Sequence, residues 1–431
     1  MPPFAHSHGT DTHSHGPDPD APPPSAEVLG RRRRAVRLML LVLVPVALAT
    51  LLGAFLLWPS GGPSPAEVAA RTFVPPGTSY PGGTIASLQP YDCSVTGNDG
   101  RTQPLTCGTA VVQITSGEGT GSFQQVDLPP DVVASGVGKG DAIVLVRDAG
   151  AEGGAKYSFY DYARTTPMLV LALLFVIVVG AVARWRGLAA LLGLAFAFVV
   201  LLEFMLPALL SGSSPTWVSL VGSAAIMFVV LYLAHGFSAR TTTALLGTLF
   251  GLVLVAGLGS IAVDVARLTG FSSEDTIQLQ QFDPTLDFSG LVIAGVVVAG
   301  LGVLNDVTIT QASAVWQLNE VDPTLSWRQL FSRGMAIGRD HIASTVYTIV
   351  FAYAGAALPL LLLFEIYRQP VGAVLTGSAV AEEIIRTLVG AIALVLAVPV
   401  TTAVGAFVAK AAGPAGTPED EPVGLRARLA R

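Results

Sequence analysis

Charge is scarce in this chain. Of 431 residues, 13% are Asp, Glu, Lys or Arg, about half the roughly 25% of an ordinary soluble domain. That deficit excludes an ordinary cytosolic enzyme, a disordered protein and a nucleic-acid binder. Cysteine is scarcer still: Cys93 and Cys107 stand alone, which excludes a disulfide scaffold or a cysteine-rich zinc module. Enzyme signatures are missing too. There is no H-E-x-x-H; Gly138-Lys139 is followed by Gly140, so no phosphate-binding loop is present; and Gly300-x-Gly302-x-x-Asn305 lacks the third glycine of a dinucleotide loop. Leu304-Asn305-Asp306 shares only its Asp with intramembrane aspartyl proteases, and no second intramembrane Asp is evident. The expectation is a protein that is not an enzyme and carries no cofactor.

What the chain has instead is apolar length. It is 52% hydrophobic, with a mean hydropathy of +0.62. Apolar runs lie at 38–58, 167–183, 188–210, 217–235, 241–263, 289–312, 342–364 and 384–409. Each is near the roughly 20 residues that a helix needs to cross the hydrocarbon. The expected fold is therefore a polytopic α-helical membrane protein of about eight spans, with the lipid bilayer as its first partner. Residues 1–35 read as a disordered His- and Pro-rich tail ending in Arg31-Arg32-Arg33-Arg34, and 36–58 as a signal-anchor helix rather than a cleaved leader. Residues 411–431 form a second tail.

Between the first two apolar runs the composition changes. Residues 59–165 hold turn signals at 81–83, 97–100 and 138–141, separated by β-branched or alternating runs at 84–91, 109–115, 122–128, 141–147 and 156–162. Short strands at this spacing predict a small all-β barrel or sandwich. Cys93 and Cys107 flank one of its hairpins and are candidates for a disulfide if the domain faces an oxidising compartment.

The basic residues suggest an orientation. With the N-terminus in the cytoplasm, the inner segments hold Arg31 to Arg34, Arg37, Arg184, Arg186, Arg240, Arg328, Arg333, Arg339, Lys410, Arg426, Arg428 and Arg431. The short outer loops and helix ends hold Arg267, Arg368 and Arg386. The positive-inside rule then places both termini in the cytoplasm of a cell whose plasma membrane the chain spans, with the β-domain extracytoplasmic.

Polar residues inside the apolar runs are the candidates for function. Gly295, Ala299 and Gly302 share a helical face with Asp306, Thr310, Ser313 and Gln317. The small half suits close helix packing. The polar half reads either as a pathway for a solute or ion or as the polar end of a packing seam, because a carboxylate at a helix centre costs roughly 2.5–3.5 kcal/mol and must face protein or water. Asp340, His341, Thr345 and Thr348 lie in or beside a second polar stripe. Asp306 and His341 are expected to approach, as a proton relay; the alternative is an interfacial Arg339-Asp340-His341 cap. Glu383 and Arg386, three apart, are expected to neutralise each other. Pro359 and Pro399 are expected to kink their helices, and Gly247-x-x-x-Gly251 is a helix-contact motif of low specificity. In the tail, His6, His8, His13 and His15 are four of the six histidines, and in an unformed segment they amount to a spacer with weak metal affinity.

Several strings carry a resemblance. Gly140-Asp141 with Tyr160-Asp161-Tyr162-Ala163-Arg164, then Gly302-Val303-Leu304-Asn305-Asp306-Val307-Thr308 with Ser313-Ala314-Val315-Trp316-Gln317-Leu318, then Gly338-Arg339-Asp340-His341-Ile342 with Ala352-Tyr353-Ala354-Gly355, occur in this order. The chain thus resembles the YibE/YibF-like family of multi-pass membrane proteins over roughly 140–410. The resemblance implies a seven-span membrane domain over 166–410 and brings no substrate with it. Two functions remain open. One is an ion-coupled permease or exporter acting on a solute or ion. The other is a non-transporting scaffold or envelope factor whose β-domain meets an extracytoplasmic protein partner.

Overall fold

The computed structural model describes residues 26–59, 61–73, 77–96, 102–150, 155–368 and 370–412. The histidines of the N-terminal tail and the C-terminal tail beyond 412 lie outside the described residues.

Helix α1 (Ala26–Leu56) starts within the stretch expected to be disordered. Ala, Glu, Leu and Arg are good helix formers, and they extend the anchor helix back through the arginine cluster. A short amphipathic helix, α2 (Pro65–Phe73), leads from the anchor to the β-domain.

The five strands expected from the alternating runs all form. They are β1 (Gly82–Asp92), β4 (Thr106–Ile114), β5 (Phe123–Leu128), β6 (Ala142–Asp148) and β7 (Lys156–Tyr162), with a small β2 (Val95–Thr96) and β3 (Thr102–Gln103) ladder between the first two. The sheet is antiparallel in the order β5-β4-β1-β6-β7. Its edges, β5 and β7, approach each other, so the sheet nearly closes. Alternation sets the inside: Ile85, Ala110, Val112, Ile114, Val126, Leu128, Ile143 and Leu145 are at most 1% exposed. Strand β1 pairs with β4 along nearly its whole length and with β6 only at its start, and its register slips between Ile85 and Ser87. That bulge lets one strand bend and serve two neighbours. Helix α3 (Pro130–Ala134) sits between β5 and β6 and buries Val132. Five strands in this order, with a helix between the third and fourth, form an OB-type barrel. Cys93 and Cys107 form a disulfide that staples the β1–β4 connection.

From Thr165 onward the chain is helical: α4 (Thr165–Val200), a π-turn (Leu201–Met205), α5 (Leu206–Leu210), α6 (Pro215–His235), α7 (Ala239–Val265), α8 (Glu274–Phe282), α9 (Phe288–Val321), α10 (Trp327–Ala356), α11 (Leu358–Tyr367), α12 (Val371–Thr376) and α13 (Ser378–Ala412). Among the described residues, six helical segments are long and apolar enough to cross a membrane, or seven if α10 and α11, bent by 63°, make one span. One of the six runs for 46 residues, Thr165–Leu210, which as a straight helix would measure about 69 Å. It is not straight. Arg184 has φ 55° and ψ −139°, and the chain folds back there: a Cβ on Gly187 would lie 2.7 Å from the Val179 carbonyl oxygen, although a continuous helix would separate the Cα atoms of these two residues by about 12 Å along its axis. The π-turn has a local cause, since Pro207 offers no N–H to the Glu203 carbonyl.

The centre of the bundle is α7, α9 and α13. In lipid the apolar effect between helices is weak, so close approach and interhelical hydrogen bonds carry the packing. Gly247 and Gly251 of α7 supply the approach. A Cβ on Gly251 would lie 2.6 Å from Leu304, and one on Gly247 would collide with Thr401 and sit 3.3 Å from Thr308. The Thr248 and Thr308 hydroxyls, 2.6 Å apart, share a buried hydrogen bond. Around this centre, α1 packs on α6 and α13, while the apolar flanks of α4 stay exposed, as a lipid-facing helix requires. Pro359 sits at the break between α10 and α11, whereas α13 runs through Pro399 as one helix.

Candidate functional site: a cavity beside a broken helix

The polar stripe of α9 does not face the bundle centre. Gly302, Asp306, Thr310 and Gln317 are exposed, and Gly295, Ala299 and Ser313 are half-buried. A Cβ on Gly302 would meet no atom within 4 Å, which corrects its expected role in helix packing. The packed face lies on the opposite side of the helix, at Gly300, Leu304, Thr308, Gln311 and Val315. Both faces repeat at three and four residues, so spacing alone could not choose between them; Gly251 of α7 admits Leu304, and Gly300 of α9 admits Val255.

The second stripe lies on α10. Asp340 and Thr348 are exposed, while His341 and Thr345 are half-buried. The threonine hydroxyls donate to their own helix, Thr310 to the Asp306 carbonyl at 2.7 Å, Thr345 to that of His341 at 2.9 Å and Thr348 to that of Ser344 at 3.1 Å. No hydrogen bond or ion pair joins Asp306, Asp340 and His341. The Nε2 atom of His341 is buried and has no hydrogen-bond partner.

One polar residue that binds the helices together escaped the sequence reading. Gln311, 2% exposed, donates through Nε2 to the Gly334 carbonyl at 2.9 Å and to the Thr402 hydroxyl at 2.7 Å. It links α9, α10 and α13. Its signal was an amide within an apolar run, one residue past the stripe that drew attention.

A polar concavity lies elsewhere. A cavity of about 490 Å³ is walled by the start of α13, the segment leading into α8, the start of α9 and the α10–α11 break. Glu382, Glu383 and Arg386 of α13 all line it, with Ser272, Ser273 and Thr276 opposite. Each wall has a local reason for its position. Ser273 and Thr276 form a capping box that opens α8, and the Asp287 carboxylate caps α9 by accepting from the Gly290 N–H at 2.8 Å. Leu358-Pro359 ends α10 and turns the chain, leaving Ala356, Ala357 and Leu360 on the cavity.

The charges here are only partly satisfied. Glu382 is 7% exposed; its Oε2 accepts from the Ser272 hydroxyl at 2.6 Å, while Oε1 is buried without a partner. Glu383 Oε1 pairs with Arg386 Nη1 at 2.9 Å, as the spacing suggested. Glu383 Oε2 and Arg386 Nε are buried and unpartnered. Gly295 borders this group, since a Cβ there would lie 3.8 Å from Arg386 Nη2. A smaller apolar cavity of about 300 Å³ adjoins the first and shares Ala357, Leu360 and Glu383 with it.

Several carboxylates outside the spans have lowered pKa values, Asp161 and Asp322 among them. The Arg164 guanidinium and the Tyr162 N–H lower Asp161 below the ordinary carboxylate range at the junction of β7 and α4. The Thr324 hydroxyl does the same for Asp322 in the α9–α10 turn. Among the described residues, no cluster of three or more His, Cys, Asp or Glu side chains is arranged to hold a metal ion.

Apolar helices of spanning length, packed through glycine and threonine with lipid-facing flanks, define a helical membrane protein carrying a separate β-barrel. A family model described as "YibE/F-like protein" matches residues 171–411, and the chain belongs to that family. The match runs from within α4 to the last turn of α13, includes the residues of α13 that line the cavity, and leaves out α1 and the barrel. No curated protein and no solved structure matches the chain.

Proposed function

We propose that this chain is a permease or exporter of the plasma membrane that binds a small solute in the cavity walled by Glu382, Glu383 and Arg386. One observation carries the reading: a ligand-sized cavity with charged residues opens at a break between helices, which is where membrane transporters form their solute sites. In this reading the segments before and after Arg184 are separate spans, and α10 with α11 makes one more, giving eight in all. The termini are cytoplasmic, and the barrel, α2 and α8 lie outside. The distribution of arginines supports that orientation, as does the contact of α2 with α8. Passage is coupled to an ion through groups that lack partners: the Asp306 carboxylate, which makes no hydrogen bond or ion pair, and the buried His341 Nε2. No bond-making chemistry is assigned.

Flux tests it. The purified protein in proteoliposomes is expected to move at least one solute of a broad radiolabelled panel, faster under an imposed proton or sodium gradient. The scaffold reading draws on a different observation, since an OB-type barrel is a common binding module. Deleting residues 65–160 separates the two: a permease keeps flux, whereas a scaffold loses its cellular phenotype altogether.

A further inference from the structure

The cavity also says something about its ligand, and this inference rests on the reading of that cavity as the solute site. Its titratable wall consists of two carboxylates and one guanidinium. Glu383 is paired with Arg386, so the charge left without an ionic partner is that of Glu382. A buried ion carries a penalty of several kcal/mol unless it is compensated. The Ser272 hydroxyl meets only one of its two oxygens. The orphaned atoms are mostly acceptors: Glu382 Oε1 and Glu383 Oε2, beside a single donor, Arg386 Nε. What this wall lacks is a positive group with several hydrogens to donate.

We infer that the cavity binds a small organic cation through a protonated primary amine. An –NH3⁺ group offers three donors on one centre, matching in number the two unpartnered carboxylate oxygens and one hydroxyl of the Ser272–Thr276 wall. Charge-assisted bonds of this kind are roughly twice as strong as neutral ones. Size argues against a bare metal ion. The cavity holds about 490 Å³, many times the roughly 30 Å³ of one water, and falls within the range of sites that enclose organic ligands. The adjoining apolar cavity of about 300 Å³, which meets the first at Glu383, gives a hydrocarbon portion of the ligand a place beyond its ammonium. An anion meets two carboxylates with one guanidinium already engaged.

The test uses the full-length protein in lipid nanodiscs and isothermal titration calorimetry. The probes are n-butylamine, tetramethylammonium (the same charge without N–H), butyrate, and sodium or potassium chloride. Binding of n-butylamine is expected, with tetramethylammonium and butyrate at least tenfold weaker. Glu382→Gln is expected to weaken n-butylamine at least tenfold, and Ala379→Phe, which fills the cavity and leaves every charged residue in the sequence unchanged, to abolish it. If Glu382→Gln fails to fold, Ala379→Phe alone decides. Equal binding of tetramethylammonium, tighter binding of butyrate, binding of the metal cations alone, or n-butylamine binding unaffected by Ala379→Phe would each overturn the inference. The transport reading fails separately: flux of a solute without an amine would leave the permease standing and remove the amine, whereas amine binding with no flux of any solute would do the reverse.

Discussion

Replacing Gly247 and Gly302, each by alanine, asks which face of the bundle is packed. Both glycines lie inside helices, and alanine is favoured there by about 0.5–1 kcal/mol at either position. The surroundings differ. A Cβ at residue 247 would overlap Thr401 Oγ1 and lie 3.1 Å from Thr401 Cβ, whereas at residue 302 it would meet nothing within 4 Å. Thr401 is β-branched, fully buried, and bonded through its hydroxyl to the Ala397 carbonyl at 2.8 Å, so it has little freedom to turn away. Overpacking of this kind costs about 1–3 kcal/mol, and separating α7 from α9 also weakens the Thr248–Thr308 bond, worth about 0.6 kcal/mol in a membrane. The net expectation is a loss of about 1–3 kcal/mol for Gly247→Ala and a gain of up to about 1 kcal/mol for Gly302→Ala. Reversible unfolding by sodium dodecyl sulfate in mixed micelles, followed by circular dichroism, measures both. A larger loss at Gly302 than at Gly247 would refute the packing described here and restore the α9 stripe as the seam.

Three further outcomes follow. Gln311→Leu keeps most of the volume and removes two interhelical hydrogen bonds, so it is expected to cost about 1–2 kcal/mol in the same assay; no loss would mean that the α9–α10–α13 link is idle. Asp306→Asn is expected to leave abundance and unfolding unchanged, because the carboxylate makes no hydrogen bond or ion pair, while slowing ion-coupled flux; wild-type flux would remove Asp306 from the pathway. Asp161 has a lowered pKa when folded, so its stabilising effect is present above the unfolded value near 3.9 and is lost as pH falls through the folded one. Wild-type protein is therefore expected to lose more of its barrel stability than Asp161→Asn on acidification from pH 5 to 2, and equal losses would show the Arg164 contact to be inert.

How much of this was legible in the sequence depended on the kind of signal. In the barrel, alternation fixed both the strands and their inner faces: Val112 and Ile114, Val126 and Leu128, and Ile143 and Leu145 all face inward, because a period of two leaves no third choice. The apolar runs were equally plain, and the break between the second and third was visible at Arg184-Trp185-Arg186. Helix faces were not. A helix apolar on nearly every side, such as α9, has no single outward stripe, so polarity at Asp306 and Thr310 drew attention while the buried amide beside them, Gln311, held three helices together. The cavity was harder still. Glu383 and Arg386 were recognisable as a pair, but Ser272 donates to Glu382 across 110 positions of sequence, and no local pattern records such a contact.

The central claim is that solute crosses this protein by way of the cavity at Glu382, Glu383 and Arg386. Ala379→Cys places a thiol on the cavity wall, and Gln278→Cys places one on the exposed surface of α8, away from it. Each variant is reconstituted into proteoliposomes and treated with a bulky membrane-impermeant maleimide, and uptake of a transported solute is compared before and after. The account predicts that uptake falls to the level of empty liposomes for Ala379→Cys and is unchanged for Gln278→Cys. Full uptake through a completely labelled Ala379→Cys protein would contradict it.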